Sequence, residues 1–232
     1  MEFTKSLIKG KLVKRYKRFF ADIKLKNQVV VAHCPNTGSM MGLLDEGNEV
    51  FISKNDDPKR KLKYTLEIIK VKKNLVGVNT HFANKIAFHG LSNNLVKEVK
   101  NSHNIKPEVF FDKETRFDFL VEKNNQKTFV EVKNVTLSRK DKLAEFPDAV
   151  TSRGSKHLKT LIEATKKGYK TYLLFLVQIQ GVTDFKIAKD IDKEYYENYK
   201  LAKKAGVKFL AYRCKISSKE IKIEKKIKII ND

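Results

Sequence analysis

Apolar and polar residues alternate over residues 7–13 and 19–26, the pattern of strands buried on one face and wet on the other. Lys14-Arg15-Tyr16-Lys17-Arg18 connects them. Val29–His33 predicts a third short strand, and Pro35-Asn36-Thr37-Gly38-Ser39 a turn. The apolar run 40–44 predicts a single helical turn. Strands over 49–53, 64–71 and 75–79 complete a set of short strands with interposed turns in under 90 residues, which suggests a small OB-like barrel. The period then changes. Residues 82–91 and 95–99 read as helical pieces broken at Ser92-Asn93-Asn94. A short strand at 109–111 precedes strands over 116–121 and 128–135, joined by a turn at 123–126. Thr151 is placed to cap a helix running from near Ser152 to Lys167, ended by Gly168, with Leu158, Leu161, Ile162 and Thr165 as its core stripe. Residues 172–178 are almost wholly apolar, as a strand buried on both faces requires. Asp192 caps a helix ending at Gly206, 207–212 is a strand, and the Ile/Lys alternation over 220–230 is a half-exposed edge strand.

Strand 116–121 carries Asp118, and strand 128–135 carries Glu131-Val132-Lys133. An Asp on one strand and Glu-x-Lys on the next form the core of a PD-(D/E)xK nuclease site. Glu131 and Lys133 leave the same face of their strand, and a hairpin partner brings Asp118 alongside. Two carboxylates and the Val132 carbonyl would suit Mg²⁺ or Mn²⁺, hard ions that prefer oxygen. Lys133 would orient or deprotonate a bound water, or neutralise a phosphate. Pro147-Asp148 is not this motif's acid, since it lies in the loop before the helix. The order of elements matches the αββαβ nuclease core. The expected fold is therefore α/β in two domains. An OB-like β-barrel spans 1–83, and a PD-(D/E)xK nuclease-like αββαβ domain with a mixed central sheet spans 84–232.

Charge sharpens this picture. The net charge is +22 with an isoelectric point near 9.8. Residues 1–83 carry +9 and residues 84–232 carry +13, so the excess is not a detachable tail. A polyanion, nucleic acid above all, is the expected partner. The competing reading is a Lys-rich surface of no special function, since Lys outnumbers Arg 42 to 7. Two distant cysteines give no disulfide framework, the N-terminus has no apolar signal core, and no apolar window approaches a membrane span. A cytoplasmic location, nucleoid association included, is expected. No Walker loop, dinucleotide fingerprint, nucleophile elbow or Zn²⁺ ligand spacing is present.

Long blocks resemble the sugar fermentation stimulation protein A (SfsA) family along nearly the whole chain. They are Arg15-Tyr16-Lys17-Arg18-Phe19, Ala21-Asp22, and His33-Cys34-Pro35-Asn36-Thr37-Gly38-Ser39-Met40. Later blocks are Arg116 with Asp118-Phe119, Val130 through Leu137, Phe146-Pro147-Asp148-Ala149-Val150-Thr151, Arg153-Gly154 and Lys156-His157-Leu158. The resemblance implies a DNA-binding protein with an OB-like domain before a PD-(D/E)xK-like one. The family's name implies a link to sugar metabolism that no residue carries.

Further candidates surround this core. Arg153 and His157 share a helix face at i and i+4. Arg153 and Lys156 would contact phosphates. His157 reads equally as a water-bridging site residue and as a structural hydrogen-bond partner, and Gln178 as a site amide or a plain strand end. Arg15, Lys17, Arg18, Lys59, Arg60 and Lys61 are candidate phosphate contacts on the barrel. Tyr16, Phe19 and Phe20 would either stack on bases or pack in the core. Two functions compete: a Mg²⁺- or Mn²⁺-dependent nuclease, and a non-cleaving DNA-binding transcriptional regulator of sugar-metabolism genes. RNA is the alternative ligand. The oligomeric state, a homodimer included, is left open.

Overall fold

A computed structural model describes residues 1–230. The first six strands are β1 (Ile8–Tyr16), β2 (Phe20–Lys24), β3 (Val29–His33), β4 (Glu49–Lys54), β5 (Tyr64–Val71) and β6 (Asn74–Gly77). Antiparallel pairs β1–β2, β2–β3, β1–β4 and β4–β5 are closed by a parallel β3–β5 pair, giving a five-stranded barrel with β6 added to β5. This is the OB arrangement. Alternation drives it: in β2 and β4 every second residue, Ala21, Ile23, Val50 and Ile52, is fully buried.

The second part is built on a six-stranded mixed sheet in the order β15-β14-β12-β9-β8-β7. Its strands are β7 (Asn104–Phe110), β8 (Arg116–Lys123), β9 (Gln126–Val135), β12 (Lys170–Val177), β14 (Lys208–Ile216) and β15 (Ile221–Lys226). Strands β9, β12 and β14 run parallel and the outer pairs antiparallel. Helix α1 (Ala83–Ser92) covers one face, and α2 (Ser152–Lys166) and α3 (Lys193–Lys204) the other. Burial on both faces explains the apolar run at β12, where every residue after Lys170 is buried. Both predicted caps form: Thr151 accepts from the Gly154 N–H, and Asp192 from the Tyr195 N–H.

Three local expectations are corrected. Residues 40–44 form a hydrogen-bonded turn, not a helical one, because Met40 and Gly42 take positive φ (54° and 76°). A small sheet of β10 (Leu137–Lys140), β11 (Leu143–Phe146), β13 (Asp184–Ile187) and β16 (Lys228–Ile229) had no counterpart in the sequence pattern. The alternating segment 220–230 is not one strand. β15 edges the large sheet, Ile227 N–H turns to the Ala211 carbonyl, and β16 joins the small one. No helix among the described residues is long and apolar enough to cross a membrane.

Candidate active site

The β8–β9 hairpin turns through Asn124 and Asn125, both at positive φ (47° and 61°), the geometry a tight hairpin favours. Pairing runs back along the hairpin to Phe119 opposite Val130 and stops. One residue further, the Asp118 carboxylate takes over the role of a strand partner. Its Oδ2 accepts the Val132 N–H at 2.7 Å. A strand residue's N–H and C=O leave by the same edge, so the Val132 carbonyl faces this corner too. Asp118 Oδ1 accepts from Asn84 Nδ2 at 2.8 Å, and the same amide reaches Glu108 at 3.3 Å.

Glu131 is 2% exposed. Its Oε1 accepts from Lys133 Nζ at 2.7 Å and meets His157 Nδ1 in a short contact. Lys133 Nζ is 3.2 Å from the same ring nitrogen. Arg153 Nε points at His157 Nε2 at 3.4 Å, an arrangement that leaves Nδ1 as the proton-bearing nitrogen facing Glu131. Glu131 Oε2 is buried and, among the described residues, has no partner. Ser155 Oγ on α2 and Tyr195 Oη on α3 are likewise buried and unpartnered.

The electrostatics divide the two acids. Burial and the neighbouring Glu131 charge raise the Asp118 carboxyl to about 6, against the hydrogen bonds from Val132 and Asn84 and the Lys133 charge. Burial also pushes the Glu131 carboxyl up, but the Lys133 ammonium and the His157 contact outweigh it, and the net shift is downward. A hard dication suits this corner: one buried carboxylate oxygen lacks a partner, and one acid ionises only at a cost. Among the described residues no group of three or more His, Cys, Asp or Glu could hold a metal. An ion here would therefore keep much of its water, as Mg²⁺ does.

Asp118, Glu131, Lys133, His157 and Arg153 are thus brought together. Lys156 lies on the exposed side of α2, 3.6 Å from Glu114. Gln178 does not touch this cluster: its Nε2 donates to Asn134 Oδ1 at 2.6 Å, and its Oε1 packs against Gly77. It belongs to the seam between barrel and sheet. Asp148 lies in the same seam, accepting from Met40 N–H at 3.2 Å while its carbonyl takes Ser39 Oγ at 2.7 Å. On the barrel, Lys17 and Arg18 form the exposed β1–β2 turn, and Lys59, Arg60 and Lys61 lie in the β4–β5 loop. OB barrels bind ligands with these two loops. Arg15 is differently placed, its guanidinium donating to the carbonyls of Arg18, Asn36, Gly38 and Ser39. Tyr16 stacks on Phe20 at 5.5 Å, and Phe19 is 43% exposed. Asn84 is the site residue that sequence reasoning missed, since nothing in a helix's second residue announces a contact 34 positions away.

Residues 13–78 match the family described as the SfsA N-terminal OB domain, and residues 81–220 the sugar fermentation stimulation protein RE domain. The chain belongs to the sugar fermentation stimulation protein (SfsA) family. A family homolog from Pelagibacter ubique is 84% identical over 100% of both chains. One from Pseudoalteromonas atlantica is 43% identical over 99% of this chain and 100% of its own. The structure of Pyrococcus furiosus SfsA in complex with Ca²⁺ is similar over 100% of this chain and 98% of that one, with a TM-score of 0.88 and 25% identity. The fold of this family member is thus an OB domain followed by a nuclease-like domain.

Proposed function

We propose that this protein binds DNA through its basic surface and cleaves phosphodiesters at a divalent-cation site formed by Asp118, Glu131 and Lys133. The barrel over 1–83 is the nucleic-acid-binding part and residues 84–232 the nuclease-like part. One observation carries the reading: the unpartnered, buried Glu131 Oε2 shares a corner with an Asp118 carboxyl raised to about 6. Two carboxylates in a low-dielectric corner oppose each other unless a cation joins them. The P. furiosus relative, solved in complex with Ca²⁺, supports an oxygen-ligated dication. Asp118, Glu131 and the Val132 carbonyl would hold Mg²⁺ or Mn²⁺, which when bound supplies an acidified water and charge neutralisation. Lys133 keeps its ammonium beside the carboxylates, where it offsets charge developing on phosphoryl oxygens. His157 fixes the Glu131 orientation, and Arg153, exposed on the first turn of α2, meets a phosphate.

A specific observation favours a second reading, a non-cleaving DNA-binding regulator. Lys133 and His157 both occupy Glu131 Oε1, so this ion cluster is nearly complete without a metal. Purified protein with Mg²⁺ or Mn²⁺ on single-stranded DNA, duplex DNA and RNA, beside Asp118→Asn, separates the two. Metal-dependent cleavage lost in Asp118→Asn supports the nuclease. Binding without cleavage by either protein supports the regulator, and no binding to any of the three refutes both.

A further inference from the structure

A second cleft, of about 730 Å³, opens where the barrel meets the first turn of α1 and the chain's first five residues. Within it lies Glu67 of β5, 3% exposed, its oxygens held by Ser53 Oγ at 2.6 Å and Asn79 Nδ2 at 2.8 Å. Part of the lining is aromatic: Phe82 meets Phe3 edge-on with centroids 6.1 Å apart. Another part offers nitrogen donors. His33 and His81 face each other at 6.3 Å, Arg60 enters from the β4–β5 loop, and Lys85 from α1. Arg60 donates to Thr65 Oγ1 at 3.2 Å, and Lys85 lies over the Phe82 ring at 5.7 Å. Among the described residues, none of these four has a carboxylate within 4 Å, unlike Lys5 and Lys54 at the rim, which share Asp56 at 2.8 and 3.5 Å. Burial, then the charges of His81 and Arg60, hold the His33 imidazole below its ordinary range, while burial raises the Glu67 carboxyl on the same wall against the pull of Arg60.

We infer that this cleft binds a nucleoside monophosphate unit, with its phosphate among Arg60, His33, His81 and Lys85 and its base along the Phe82–Phe3 wall. The volume decides against a bare anion, because it falls in the range that organic ligands fill, roughly 300–1,000 Å³. An uncharged apolar ligand would bury the cations unpaired. The unit has two sources with the same chemistry: a free nucleotide, or an unstacked nucleotide of a bound strand, whose base would stack on the aromatic wall. The setting connects the cleft to the metal corner. Consecutive residues of α1 serve the two, Asn84 donating to Asp118 and Lys85 lining the cleft. The cleft does not depend on that corner cleaving anything.

The test uses the full chain in EDTA at low salt. Calorimetry with 5′-AMP, adenosine and inorganic phosphate reads the free-nucleotide arm. A single-stranded oligonucleotide carrying one 2-aminopurine, which brightens when its base unstacks, reads the strand arm. The expected result is binding of 5′-AMP far tighter than of adenosine or phosphate, or brightening of the oligonucleotide. In either arm Arg60→Gln, a loop variant, should weaken the signal about tenfold or more with its melting curve unchanged. A protein that binds neither probe overturns the inference, as does a signal left unchanged by both Arg60→Gln and Lys85→Ala. Failure here with nucleic-acid binding intact removes the cleft alone. Binding of 5′-AMP with no nucleic-acid binding removes the proposed function and keeps the cleft.

Discussion

Replacing Asp118 by Asn should stabilise the metal-free protein at neutral pH while abolishing its response to divalent ions. Asp118 rises from an ordinary 3.8 to about 6 in the fold, chiefly through burial and the Glu131 charge. A carboxyl raised in this way favours the protonated native state. Its contribution is intact below pH ~4 and is lost as pH climbs through about 6. At ~1.36 kcal/mol per pH unit, ionised Asp118 costs the metal-free fold up to about 3 kcal/mol at pH 7.5. Asn has the same shape and no charge. Its oxygen can accept the Val132 N–H, and an Asn84 amide turned over meets its nitrogen. For a chain of this size, 3 kcal/mol corresponds to ~6–12 °C in Tm. The assay is urea or thermal unfolding in EDTA from pH 4.5 to 7.5. Glu67, also raised by burial, titrates in the same direction, so the quantity to read is the difference between variant and wild type. That difference should be smallest at the acid end and grow in favour of the variant with pH. Adding Mn²⁺ should reverse it, because the wild type gains a ligand of its native state and the variant does not. A difference that stays flat with pH, or Mn²⁺ that raises both melting points equally, would refute the argument.

Other outcomes follow from the same geometry. Lys133→Met should retain metal and DNA binding yet cleave on the order of 10²–10³ times more slowly, as when one transition-state donor is removed; equal single-turnover rates in the two proteins would take Lys133 out of the mechanism. DNA affinity should fall steeply with salt through counterion release, and Ala at Lys17, Arg18 and Lys61 should flatten the log–log slope measured by fluorescence anisotropy. Arg15→Ala should instead lower stability, since its guanidinium ties the 36–39 loop to the β1–β2 turn. Arg139→Ala should cost about 3 kcal/mol in guanidinium unfolding, because Glu145, 2% exposed, loses the fork that holds both its oxygens and keeps only the residue-139 backbone N–H at 3.3 Å and Lys186 at 3.6 Å.

Period and punctuation made the barrel strands, α2, α3 and β12 readable, since each buries a regular face or carries its own cap. The small sheet was not, because its strands are only two to four residues long, and β13 and β16 lie far along the chain from the β10–β11 pair they join. Residues 40–44 misled because an apolar run is silent about φ. At the site, Glu131 and Lys133 were fixed by strand alternation, and His157 by helical spacing from Arg153. The Asn84 contact and the Gln178–Gly77 seam were invisible, because each joins segments that only the tertiary fold places side by side.

The seam has a consequence for how the chain comes apart. Barrel residues such as Leu12, Ile52 and Val76 belong to the same contiguous apolar cluster as Phe117, Leu158 and Phe175 beneath α2. A Cβ at Gly77 would run into the end of the Gln178 side chain, and one at Gly38 into the Asp148 carboxylate. The first residues are tied to the last strands, Phe3 N–H to Lys219 and Ile221 N–H to Met1. On a ribosome the first residues must therefore wait for residues beyond 218 before they are sealed in place. Once sealed, neither half can melt without stripping the other, and a calorimeter should record one endotherm where two recognisable folds would suggest two.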